Sequence, residues 1–141
     1  MGVMVKEESM PRLVLVVDDC RMTRRLLSMY LWEAGFEVVL AENGLDALEQ
    51  LGREPCSVVV TDLNMPHMDG VELTRSVKEN PFFQDIPVII LTTHGEEEER
   101  ESGLEAGASV FLSKPITQEA LIREIERVLP QECRRMEAPI P

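Results

Sequence analysis

A chain of 141 residues with a hydrophobic fraction of 44% can build one core and is too apolar for global disorder. Its 26 acidic and 14 basic residues leave a formal net charge of -12. Such a chain is repelled by nucleic-acid phosphates and anionic lipids, so neither is expected as a direct partner, and a cation or a protein is.

The elements alternate along the chain. Leu13 to Val17 is an apolar run closing on Asp18 and Asp19, and reads as a strand. Arg21 to Ala34 carries Leu26, Leu27, Tyr30, Leu31 and Ala34 at helical spacing and stops at Gly35. Phe36 to Ala41 reads as a second strand. Asn43 reads as a helix cap, and Leu45, Leu48 and Leu51 as the apolar stripe of the helix it starts. Ser57 to Thr61 is a third strand, running into Asp62. Val71 to Glu79 reads as a helix that Asn80 and Pro81 end. Pro87 to Leu91 is a fourth strand, Glu96 to Ala106 a helix ending near Gly107, and Val110 to Ser113 a short fifth strand. Thr117 caps a last helix with Leu121, Ile122, Ile125, Val128 and Leu129 on one face, stopped by Pro130.

Five strands alternating with five helices predict an α/β fold, a doubly wound parallel sheet covered on both faces. Residues 12–129 form the predicted domain; 1–11 read as an N-terminal tail, and 130–141 as a C-terminal tail or the start of a linker. The three cysteines, Cys20, Cys56 and Cys133, have no Cys-x-x-Cys spacing, and the only histidines are His67 and His94. A disulfide framework and a structural zinc site are therefore not expected. No run approaches the length of a membrane span, and the N-terminus is too polar for a signal peptide, so a cytoplasmic protein is expected.

The polar residues at the strand ends carry the chemistry. The first strand ends in Asp18 and Asp19, the third in Asp62, the fourth in Thr92 and the fifth in Lys114. Ligands of open parallel sheets bind beyond those ends, where strand order reverses. Neighbouring carboxylates repel unless they take up protons or a cation. An all-oxygen site suits Mg²⁺. With Lys114 alongside, such a site can neutralise a phosphoryl group while Asp62 attacks phosphorus to give an acyl phosphate.

The segments "VLVVDDCRMTRRLL", "VVTDLNMPHMDGVEL", "PVIILTTHG" and "GASVFLSKPI" together resemble the receiver domain of bacterial two-component response regulators. The ordered set of Asp-Asp, Asp-x-x-Met-Pro-x-Met-Asp-Gly, Thr and Lys-Pro carries the resemblance, which covers most of the chain. It implies a flavodoxin-like sheet of order 2-1-3-4-5 and a stand-alone, chemotaxis-type regulator. Asp62 is then the phosphoacceptor, Asp19 a direct Mg²⁺ ligand, and Asp18 a helper through the metal's water shell. Asn64 offers its backbone carbonyl to the metal. Thr92 and Lys114 reach phosphoryl oxygens, and Thr92 and Phe111 form the switch. Phe111 lacks the hydroxyl of the tyrosine often found there. The resemblance also implies a cis bond between Lys114 and Pro115. It implies a histidine kinase or phosphotransfer protein as donor, and a downstream protein partner facing the acidic run that starts at Glu96. Homodimerisation through that face stays open. The chain is expected to catalyse only its own phosphorylation and dephosphorylation.

Thr93 departs from the small residue usual at that position and is expected to crowd the phosphoryl pocket. Each site residue also has an ordinary reading: Asp62 capping a turn, Asp18 and Asp19 favoured by a helix dipole, Phe111 packed in the core. Three other functions make different demands on these positions. An aspartyl-phosphate phosphohydrolase needs a second acid where Asn64 stands. A flavin carrier needs a neutral phosphate loop where "DDCRMT" stands. A fold used only for docking needs none of these residues. A receiver belonging to a longer regulator with an output domain stays open. His94 and Asn64 flank the expected water path to the phosphoryl group. Replacing either with alanine is expected to change the phosphoryl lifetime, followed by loss of the phosphorylated mass; unchanged lifetimes in both variants would remove this role.

Overall fold

The computed structural model describes residues 12–93 and 97–129. Readings that fall on the two tails, on Cys133, on Pro130 and on His94 lie outside the described residues. Five strands, β1 (Leu13–Val17), β2 (Glu37–Ala41), β3 (Val58–Asp62), β4 (Val88–Thr92) and β5 (Val110–Ser113), form one sheet. Every neighbouring pair is parallel and the order is β2-β1-β3-β4-β5, the doubly wound arrangement expected. The helices are α1 (Arg21–Glu33), α2 (Gly44–Arg53), α3 (Gly70–Glu79), α4 (Glu97–Ala106) and α5 (Gln118–Val128).

β1, β3 and β4 are buried on both faces, so their sequences are unbroken apolar runs rather than alternating ones. Successive side chains point to opposite faces and feed two cores. Leu15, Val59 and Ile90 pack with Leu51 of α2 and with Leu73 and Val77 of α3. Val16, Val60 and Ile89 pack with Leu27 and Leu31 of α1 and with Leu121 and Ile125 of α5. Burying a side chain of this size stabilises the fold by about 1.5–3 kcal/mol.

Local signals set the helix ends. Asn43 accepts from the Asp46 amide, and Thr117 from the Ala120 amide, as the cap readings expected. Asp69 and Glu72 form a reciprocal capping box at α3. Asn80 caps the far end of α3. Gly107, just after α4, has φ +114°, a conformation that glycine adopts without strain.

The stripe predicted for α2 needs correction. Leu45 is 62% exposed, while Gly44, Ala47 and Leu51 are the buried positions. The Asn43 cap sets the phase of the helix, and Gly44, Ala47, Leu48 and Leu51 then share the inward face. Leu26 of α1 is likewise exposed, because the inward face of α1 is centred on Leu27 and Leu31. Asp62 belongs to β3 as its last residue instead of following it.

Gly103, inside α4, is buried against Phe111 and Ile90. A β-carbon there would overlap the Phe111 ring and stand 3.2 Å from Ile90 Cδ1. Alanine inside a helix normally stabilises by about 0.5–1 kcal/mol relative to glycine. Gly103→Ala is expected to destabilise instead, in urea unfolding, and to shift the Ile90 δ1-methyl NMR resonance as the ring moves. A stabilised variant with an unmoved methyl would show that α4 yields to the added carbon without cost.

Candidate functional site

The sheet places β1, β3, β4 and β5 side by side, so their carboxyl ends share one rim. At that rim Lys114 Nζ lies 3.0 Å from Asp62 Oδ1 and 3.6 Å from Asp18 Oδ2. Asp18, Asp19 and Asp62 each offer one carboxylate oxygen within 4.8 Å of the others. Four residues separated by up to 96 positions in the chain thus meet in one cluster. Asp18 is 1% exposed and Asp62 9%, whereas Asp19 faces solvent.

Main-chain contacts fix the cluster. Asp18 donates its amide to the Ala41 carbonyl at 3.1 Å, and its Oδ1 accepts from the Cys20 amide at 2.8 Å. The Leu63 amide donates to the Leu91 carbonyl, and the Lys114 amide to the Thr92 carbonyl, at 2.9 and 2.7 Å. These two bonds tie the phosphoacceptor candidate and the lysine to β4. The Lys114–Pro115 bond is cis. Gly70 closes the loop after Asp62: its amide donates to the Leu63 carbonyl at 2.7 Å, and a β-carbon there would stand 2.6 Å from the Asp62 carbonyl oxygen. Only glycine lets α3 begin so close to that backbone. His67, in the same loop, has φ 74°, a left-handed conformation costly for a side-chain-bearing residue. The Pro-x-x-Asp-Gly punctuation around His67 is the sequence signal for this tight loop.

Charge and burial act together here. Burial pushes the Asp62 carboxyl up, the Lys114 hydrogen bond opposes this, the Asp18 charge adds to it, and the pKa stays raised. Burial alone pulls the Lys114 ammonium down. The hydrogen bond and charge of Asp62, with the charge of Asp18, outweigh that and raise it. The two directions are compatible: the lysine faces two carboxylates, while Asp62 shares one lysine with another acid.

The remaining candidates sit around this core. Thr92, 6% exposed at the end of β4, donates its hydroxyl to the Thr93 carbonyl at 2.9 Å. Thr93 is exposed and lines an apolar groove of about 550 Å³ with Leu26, Tyr30, Lys114 and Ile116. Asn64 is exposed in the loop after β3. Phe111 is 7% exposed and points into the core, with the Arg100 guanidinium 5.8 Å from its ring centroid.

Three converging acidic side chains could hold a cation here. Asp18 Oδ2 is buried and, among the described residues, has only the Lys114 ammonium at 3.6 Å and no closer hydrogen-bond donor, and the converging donors are all carboxylate oxygens. These features fit a divalent ion such as Mg²⁺.

The model of the response regulator receiver domain family matches residues 14–126. The chain belongs to this family. It is 39% identical over 118 residues to the Chemotaxis protein CheY1 of Helicobacter pylori, covering 82% of this chain and 95% of that protein. It is 38% identical over 118 residues to a Chemotaxis protein CheY homolog of Campylobacter jejuni, covering 82% and 91%. The structure of Vibrio cholerae chemotaxis protein CheY4 superposes with a TM-score of 0.80 at 34% identity, over 84% of this chain and 99% of that one. The receiver resemblance and the flavodoxin-like sheet order expected from sequence are both borne out.

The raised pKa of Asp62 has a consequence for stability. Its protonated form favours the fold, a contribution complete below the ordinary carboxylate value and lost as pH rises through the higher folded value. Near neutral pH the ionised group therefore opposes folding in metal-free receiver. Asp62→Asn, neutral at every pH, is expected to raise Tm by a few degrees at pH 7 in chelator. The gain should shrink as the pH falls to about 4, near the ordinary carboxylate value. A lower Tm at pH 7 would show that the Lys114 ion pair outweighs burial.

Proposed function

We propose that this receiver accepts a phosphoryl group on Asp62 from a phosphorylated histidine of a kinase or phosphotransfer protein. The observation that carries the proposal is the meeting of the Lys114 ammonium with the Asp62 and Asp18 carboxylates at the sheet rim. Asp62 presents a carboxylate oxygen to phosphorus. The new bond is the O–P bond of an acyl phosphate; the P–N bond to imidazole breaks, and its electron pair leaves with the imidazole. Lys114 balances charge on one phosphoryl oxygen, and its existing contact with Asp62 means it needs little rearrangement. Asp19, Asp18, Asp62 and the Asn64 carbonyl are the groups that would hold Mg²⁺. When bound, the ion supplies positive charge that offsets the carboxylates and the incoming phosphoryl oxygens. The chain turns over no external substrate in this reading; it modifies and unmodifies itself.

Thr92 is the proposed relay to the rest of the domain. Its hydroxyl now spends its proton on the Thr93 carbonyl. Exchanging that acceptor for a phosphoryl oxygen would draw the end of β4 towards Asp62 and change the space beside Phe111. Phosphorylation can shift the two-state balance only by such differential contacts. The downstream partner is proposed to be a protein that meets the α4 side, where Glu99 and Glu101 are exposed, with basic residues of its own. A cytoplasmic setting is part of the proposal and is supported by the free thiols of Cys20 and Cys56, which suit a reducing compartment.

The test is incubation with Mg²⁺ and a small phosphoryl donor, followed by intact mass. Wild type is expected to gain one phosphoryl mass that chelator prevents, and Asp62→Asn to gain none. Lys114→Ala should slow the gain about 10²–10³-fold, the scale of losing one charge-stabilising donor. Modification that persists in Asp62→Asn would place the acceptor elsewhere and end this reading.

A further inference from the structure

We propose that Arg24 is a positioning residue for the carboxylate cradle: it holds the peptide between Asp18 and Asp19 so that both side chains face Asp62. This rests on the cation-binding reading of the cluster. Arg24 is half-buried in the first turn of α1, and its Nη1 donates to the Asp18 carbonyl at 2.6 Å, a short charge-assisted bond. That carbonyl belongs to the peptide plane joining Asp18 to Asp19. A peptide is planar, so a restraint on its oxygen, together with the anchored Asp18 amide, also restrains the amide nitrogen of Asp19 and narrows where the Asp19 side chain can point.

The restraint matters most for Asp19. The Asp18 carboxylate has its own anchors: the Cys20 amide on Oδ1 and Lys114 near Oδ2. Asp19 is exposed, and no hydrogen bond to its carboxylate is found among the described residues. Its contribution to the cradle depends on the main chain that carries it. Arg24 reaches that main chain from the helix side, and the Ala41 carbonyl holds the Asp18 amide from the strand side. The turn is thereby clamped between α1 and β2. The same guanidinium covers the Asp18 carbonyl, which lies at the start of a helix whose N-cap residue, Cys20, makes no side-chain cap.

Two roles for this arginine predict opposite signs. A cation beside a cation site repels the incoming ion, so if charge alone mattered, removing Arg24 would tighten Mg²⁺ binding. If Arg24 positions the turn, removing it loosens Asp19 and weakens binding. Losing an outer contact that orients a ligand typically costs about 10–100-fold in metal affinity. The geometry favours the second outcome, because the guanidinium bonds the carbonyl and not a carboxylate.

The experiment is calorimetric titration of the full chain with Mg²⁺ alone, without any phosphoryl donor. Arg24→Met keeps the apolar stem and removes the donors; it is expected to weaken Mg²⁺ about 10–100-fold. Arg24→Lys keeps a charged donor and should recover part of the loss. Amide NMR of the same samples should show the Asp19 and Cys20 resonances shifted in Arg24→Met while the β3 and β4 resonances stay in place, which separates local loosening from unfolding. Unchanged or tighter binding in Arg24→Met overturns the positioning role while leaving the cation site standing. Wild type that binds no Mg²⁺, matching an Asp19→Asn control, overturns the cation reading and this inference with it.

Discussion

One ammonium among three carboxylates governs this molecule. Lys114 lies 3.0 Å from Asp62 and 3.6 Å from Asp18, and Asp19 completes the acidic group. A single lysine leaves the cluster with an excess of negative charge at a place where Asp18 and Asp62 are shielded from water. Such an arrangement is costly to build and would not persist for stability alone. In the proposed reading, further positive charge would make it serviceable, and a phosphoryl group would then find its oxygens met from several sides.

The fold supplies the rigidity that this charge imbalance demands. β1, β3 and β4 are buried on both faces, so the strand ends that carry Asp18, Asp62 and Thr92 cannot drift apart without opening two cores. Close backbone contacts finish the placement: Gly70 against Asp62, and the Lys114 amide on the Thr92 carbonyl. The acidic groups are thus held at short range by packing forces that are individually small and collectively far larger than their repulsion.

The region of β5 and α4 is built differently. Phe111 fills space that exists because residue 103 has no side chain, and α4 contributes few apolar residues of its own. Leu104 of that helix is 47% exposed, whereas α5 buries Leu121 and Ile125 completely. This asymmetry is what a domain needs if chemistry at one rim is to alter a surface elsewhere.

Much of this was legible in the residues. Unbroken apolar runs marked the doubly buried strands, the caps Asn43 and Thr117 marked helix starts, and the Asp, Thr and Lys at strand ends marked the rim, because local patterns report burial and turn chemistry directly. Other features depended on three dimensions. Whether Leu45 or Ala47 faced inward turned on a helix phase set by one cap. The seat of Phe111 against Gly103 and the grip of Arg24 on the Asp18 carbonyl join groups whose contact no spacing encodes. The sequence by itself determined which chemical groups end each strand; only the tertiary structure decided how near they come, since electrostatic consequence depends on separation and on the water excluded between them.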